Sequence, residues 1–141
     1  MKYLCLDYGE KRTGIAVSDP SGGMVFPRKA LFKRTREEFF CELVSLIQSE
    51  NPDCIVVGLP VRGDGTDSLT TRQARNFAQS LKRRVELPIC LMEETLSSEE
   101  AEAMLRESGQ RFTAKDGIVD CLAAMRILES FISDPDHAEE L

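Results

Sequence analysis

The chain has 141 residues, 42% of them hydrophobic and 30% charged, which fits one globular domain and excludes a collagen-like, coiled-coil or disordered chain. Its formal net charge of −6 argues, taken alone, against a polyanionic partner, because phosphate binding is driven by Lys and Arg displacing counterions. Five cysteines without a C-x-x-C pair suggest neither a disulfide framework nor a zinc knuckle, and no apolar run nears the roughly 18 residues of a membrane span or follows a secretory pattern, so a cytoplasmic location and no membrane partner are expected.

In chain order, Lys2 to Leu6 is an apolar run rich in strand formers, and Gly14 to Ser18 is a second strand. The turn-forming stretch between them makes a hairpin with a long loop. Gly22 and Gly23 break the chain, and Met24 to Phe32 is a third extended piece whose Pro27 suits an edge strand. Thr35 and Glu38 stand at capping-box spacing, and Phe39, Phe40, Leu43, Val44 and Ile47 recur at helical period until Asn51 and Pro52 end the pattern. Cys54 to Leu59 is short and uniformly apolar, as in a central strand covered on both faces.

Pro60 to Asp67 reads as a loop, and Ala74, Phe77, Ala78 and Leu81 mark a second helix starting near Ser68. Pro88 to Met92 is a fifth strand. Ser97 with Glu100 repeats the capping box for a helix ending near Gly109, and Thr113 opens a last helix through Ile118, Leu122, Ile127 and Phe131. A meander followed by alternating helices and strands predicts an α/β fold, a mixed five-stranded sheet with helices on both faces. Residues 1–132 form that domain, and 133–141 are expected to be a flexible acidic tail.

The tail changes the meaning of the net charge. Glu129 to Leu141 holds five acids and no Lys or Arg, leaving 19 acids against 18 bases in the body. Within the body, Val61 to Arg84 has six bases and two acids. A polyanion is therefore permitted, although a solvated helix face explains these bases equally well.

Three acidic positions fall where burial is the default. Asp7 ends an apolar strand, Glu93 and Glu94 follow one, and Asp120 lies within the apolar run Gly117 to Met125. Taken singly, each has a structural explanation: Asp7 fixing a loop, Glu94 favouring a helix N-terminus, Asp120 pairing with a base. Together they read differently: if the strand ends and the last helix converge, three carboxylates share one small volume and either raise one another's pKa or are neutralised by a cation. An all-oxygen donor set suits Mg²⁺.

The loop Asp7 to Gly14 has the form D-x-G-x-x-x-x-G, with Gly9 and Gly14 permitting close approach and Lys11 and Arg12 placing cations beside Asp7. Arg62 sits in the second glycine-bearing loop. The lone histidine, His137, is in the tail, which disfavours a histidine-centred triad or zinc site.

Four ordered blocks then resemble one family: LDYGEKRTGIAVSD at Leu6 to Asp19, VVGLPVRGDGT at Val56 to Thr66, EETLSSEEAE at Glu93 to Glu102, and VDCLAAMRILESF at Val119 to Phe131. They are similar to the bacterial YqgF (RuvX-like) family over nearly the whole chain to about Phe131. The resemblance implies an RNase H-like fold related to the RuvC resolvases, and a nuclease completing the 5′ end of 16S rRNA. Carried over by motif, Asp7 is the first-strand acid, Glu94 the acid after the fifth strand and Asp120 the acid of the last helix; metal-assisted phosphodiester hydrolysis is then expected, with these catalytic acids holding Mg²⁺ or Mn²⁺ and Gly9, Lys11, Arg12, Gly14 and Arg62 binding phosphate. The Arg72, Arg75 and Lys82 to Arg84 series extends that contact.

One departure stands out: the family block often reads Asp-Glu-Arg where this chain has Glu93-Glu94-Thr95, leaving open which glutamate is the ligand. The expected partner is precursor 16S rRNA, bound by a monomer or weak homodimer. The alternatives are a Holliday junction resolvase acting on branched DNA, and a catalytically silent RNA- or protein-binding module. An actin-like ATPase, suggested by the glycine loop alone, needs a second domain that this length does not supply.

Overall fold

The computed structural model describes residues 1–9, 11–60, 69–94 and 118–141, without the side chains at 94 and 118–120. The helix expected from Ser97 to Gly109 and most of the loop Pro60 to Asp67 lie outside the described residues. The elements are β1 (Tyr3–Tyr8), β2 (Arg12–Ser18), β3 (Val25–Phe32), α1 (Arg36–Glu50), β4 (Cys54–Pro60), α2 (Leu69–Lys82), β5 (Ile89–Glu94), α3 (Ile118–Ser133), a 3-10 turn (Pro135–His137) and β6 (Glu139–Glu140).

These strands form one sheet in the order β3-β2-β1-β4-β5-β6. The meander β1-β2-β3 is antiparallel, β1-β4-β5 is parallel, and β6 returns antiparallel to β5. Parallel neighbours need a crossover, and α1 and α2 supply one each. Local chemistry sets the limits of α1. Thr35 Oγ1 accepts from the Glu38 N–H at 3.2 Å, and Asn51 ends the helix with φ of 50° in the left-handed region that Asn tolerates.

Strand alternation divides the core into two layers. Leu4, Leu6, Ile15, Val17, Ile55 and Val57 pack against α1 and α2, in one cluster with Phe39, Leu43 and Phe77. Cys5, Ala16, Val56 and Met92 pack on the opposite face against Ala124, Ile127, Leu128 and Phe131 of α3. Both faces are thus covered, as the uniformly apolar β4 requires.

The expected five-stranded sheet has six strands, and the added one comes from the segment read as a flexible tail. After α3 the chain turns at Pro135, and the Leu141 N–H donates to the Ile89 carbonyl at 2.9 Å. The Leu141 side chain packs against the α1/α2 core, and Arg75 donates to the Glu139 carboxylate at 3.0 Å. The physical reason is the exposed outer edge of β5, whose unpaired backbone groups are met by the returning chain.

Candidate active site at the carboxyl ends of the strands

Alternation along β1 decides the environment of the first acid. Tyr3 and Cys5 face α3 while Leu4 and Leu6 face α1 and α2, so Asp7 projects on the α3 side and Tyr8 on the other. Asp7 is half-buried and stands opposite Gly14 of β2. Glycine there leaves the sheet surface beside the carboxylate without a side chain.

The same counting separates the two glutamates of β5. Ile89 and Leu91 belong to the α1/α2 layer, whereas Cys90 and Met92 belong to the α3 layer. Position 93 therefore falls on the α1/α2 side, away from Asp7, where Glu93 is exposed. Glu94 closes β5 opposite Pro60, and β4 alone stands between β5 and β1. That is two strand spacings, about 10 Å between backbones.

Two anchors orient α3, the element carrying position 120. Phe131 meets Tyr3 edge-on with ring centroids 5.1 Å apart, and nearer the start of the helix Cys121 Sγ donates to the Arg28 carbonyl at 2.9 Å. Arg28 pairs with Ile15, which pairs with Leu6. Helix α3 thus runs against β1 and brings position 120 to the end of the sheet where Asp7 stands. Gly58 permits this close seating, since a Cβ there would lie 2.5 Å from Ile127 Cδ1.

The phosphate-binding candidates divide. Gly9 follows β1, and a Cβ on it would collide with the Arg12 carbonyl oxygen, so the tight turn requires glycine. Lys11 is exposed, Arg12 is half-exposed at the start of β2, and Gly14 is buried within it. All three lie at the Asp7 end of the sheet, whereas Arg62 lies outside the described residues.

The helical bases do not form one series. Helix α2 starts where Thr71 donates its hydroxyl to the Pro60 carbonyl and runs back toward the amino ends of the strands. Only Arg72 stays exposed near the site end. Arg75 is turned to Glu139, while the Arg84 guanidinium lies 4.0 Å from the centroid of the Phe40 ring and donates to the Ser80 carbonyl. Lys82, Arg83 and Arg84 close the far end of α2, away from Asp7.

Sequence reasoning overlooked another basic run. Val25 to Arg36 contains five bases and no acid, a signal readable as charge clustering. Of these, Arg28 pairs with Glu50 at 2.7 Å and Arg34 with Glu42 at 3.4 Å. Lys33 and Arg36 turn instead toward Tyr8 and α2.

The donor chemistry fits a hard divalent cation. Asp7 offers carboxylate oxygen, as residues 94 and 120 do by type, and oxygen donors are what Mg²⁺ and Mn²⁺ take. Among the described residues, to which the side chains at 94 and 120 do not belong, no three His, Cys, Asp or Glu converge. The cysteines fit less well. Cys54 and Cys90 approach to 3.9 Å, and burial pushes the Cys54 thiol up to about 12, leaving it protonated and inert as a ligand or nucleophile. Cys5 and Cys121 are buried.

Several solved structures share this architecture. Thermus thermophilus RuvC superposes over 100% of both chains with a TM-score of 0.62 at 12% identity. The same enzyme in complex with a Holliday junction substrate gives 0.63 at 14%, also over 100% of both chains. The fowlpox virus resolvase in its junction complex gives 0.60 at 9%, covering 96% of this chain and 99% of that one. The fold is that of the RuvC-like resolvases, the expected RNase H-like class.

Residues 1–134 match the family described as "RuvX: Holliday junction resolvase", and the chain belongs to that family. A relative from Nitratidesulfovibrio vulgaris (strain DSM 19637 / Miyazaki F) is 54% identical over 136 residues, 96% of each chain, and bears the name "Putative pre-16S rRNA nuclease". A relative from Oleidesulfovibrio alaskensis bears the same name at 51% identity, covering 96% of this chain and 94% of its own length. No helix among the described residues is long and apolar enough to cross a membrane.

Proposed function

We propose that this protein is a metal-dependent nuclease that completes the 5′ end of precursor 16S rRNA in the cytoplasm. The observation that supports the reading is that Asp7 near the end of β1, the last residue of β5 and the start of α3 all lie at one end of the sheet, with Asp7 on the face that α3 covers. The names borne by the relatives supply the substrate.

Asp7, Glu94 and Asp120 would hold Mg²⁺ or Mn²⁺, and Glu94 rather than Glu93 is the ligand because Glu93 falls on the α1/α2 side of the sheet, away from Asp7. When bound, such an ion supplies an activated water and neutralises charge on the leaving oxygen. The chain's own residues do the positioning. Lys11 and Arg12 hold phosphate beside Asp7, with Arg62 from the following loop, and these contacts orient the strand without reading its sequence. Gly9 and Gly14 keep the approach clear, and the apolar layer of Cys5, Met92 and Ala124 fixes the backbone beneath the acids.

The decisive experiment is Asp7→Asn assayed on precursor 16S rRNA with Mg²⁺ and Mn²⁺. Cleavage should fall by at least about a hundredfold, the scale on which one electrostatic contact to the transition state acts, while RNA binding is retained. Unchanged cleavage by the pure variant overturns the proposal. A four-way DNA junction belongs in the same assay because of the family's description. A monomer or weak homodimer suffices for one scissile bond, whereas a resolvase needs two sites related by a two-fold axis.

A further inference from the structure

On the sheet face opposite Asp7, α1 and α2 enclose a cleft of about 360 Å³, within the size range of small-ligand sites. Its floor is aromatic: the Tyr8 ring lies parallel to Phe77 with centroids 4.4 Å apart and planes 9° from parallel. Its rim is cationic. Lys33 Nζ donates to the Tyr8 hydroxyl at 2.8 Å, and Arg36 Nη2 donates to Ser80 Oγ at 2.9 Å. No acid is among its described lining residues, in a chain whose net charge is −6. Gln73 and Asn76, one helical turn apart on α2, present carboxamides to the same space. Each carries both donors and an acceptor.

We propose that this cleft holds one unpaired nucleotide of the RNA strand, a neighbour of the bond being cut. The inference rests on the nuclease reading and extends it by naming single-stranded RNA as the form bound. Aromatic surface, paired carboxamides and fixed cations are the groups that recognise a splayed-out base and its phosphate. A base held within a duplex stack cannot enter a space between two helices. The path from the acids is continuous: the Lys33 N–H donates to the Lys11 carbonyl at 2.9 Å, so the cations of the Asp7 loop and those of the cleft share one edge. Lys33 and Arg36 take the phosphate, and Gln73 and Asn76 take the base edge.

The test uses the full chain carrying Asp7→Asn, so that binding is measured without cleavage. Fluorescence anisotropy follows a labelled single-stranded RNA, the same RNA with abasic sites, and a blunt duplex. Lys33, Arg36, Gln73 and Asn76 are all exposed, so their variants keep the fold, as an unchanged melting curve verifies. Gln73→Ala with Asn76→Ala should weaken single-strand binding about tenfold, the product of two lost hydrogen bonds, and leave abasic and duplex binding unchanged. Lys33→Gln with Arg36→Gln should lower the slope of log affinity against log salt by about 0.7, the value for one phosphate on a single strand. Equal loss on intact and abasic RNA, or no loss on either, overturns the cleft as a nucleotide site. Failure of the nuclease reading registers elsewhere, as cleavage surviving Asp7→Asn.

Discussion

Glu50 ties three parts of the chain together. Its carboxylate accepts from Arg28 Nε at 2.7 Å and from Lys2 Nζ at 3.2 Å, joining the edge strand β3 and the start of the chain to the end of α1. The Arg28 hydrogen bond, reinforced by Lys2, holds the Glu50 carboxyl below its ordinary value of 4.5 against the opposing effect of burial. A carboxyl lowered in the folded state contributes stability that is complete above the unfolded pKa and is lost as pH falls through the folded one. Glu50→Gln should therefore cost about 0.5–1 kcal/mol at neutral pH, a figure reduced by solvent screening of the half-exposed Arg28. Urea unfolding should show that difference shrinking as the pH drops below 4.5. A gap that stays constant down to acid pH would mean the ion pairs contribute nothing.

At the scale of elements, the seating of α3 governs whether the acids can meet. Gly58→Val forces a branched side chain into the space of the buried Ile127 and should cost about 1–3 kcal/mol in denaturant unfolding, as overpacking does. Cleavage should fall as well, because lifting α3 moves position 120. Most elements were legible because their patterns are long. The capping box at Thr35 and Glu38, the period from Phe39 to Ile47 and the apolar run of β4 each announce one structure. β6 was not legible, since two glutamates carry no period and their strand exists only because β5 offers an open edge. Glu93 and Glu94 were indistinguishable for a related reason: with apolar residues on both faces, β5 has no inward-outward alternation to count. Only the partners of Ile89 through Met92 reveal the phase.

For the whole molecule, net charge proved a poor guide because opposite signs occupy opposite edges of the sheet. The basic run ending β3 lies at one edge, and Glu139 and Glu140 of β6 lie at the other. Composition averages these into −6 and hides where each sign lies. The proposed metal site likewise belongs to the whole, since its ligands come from β1, β5 and α3 and are assembled only by folding. Mg²⁺ should then bind the native state alone and raise its stability by about 1.4 kcal/mol at ten times Kd, since the gain is RT ln(1 + [L]/Kd). At this chain length that corresponds to roughly 3–6 °C in Tm. Asp7→Asn should abolish the rise in a thermal melt, and a rise that survives the substitution would place the ion elsewhere.

Asp7 and Tyr8 are neighbours on one pleated strand, yet one serves the acid face and the other the aromatic cleft. On the proposed reading, the interval between the severed linkage and the gripped base is a ruler one peptide unit long. Loop motion cannot stretch it, and a single-residue insertion in β1 would exchange the two sides, leaving the blade where the handle belongs.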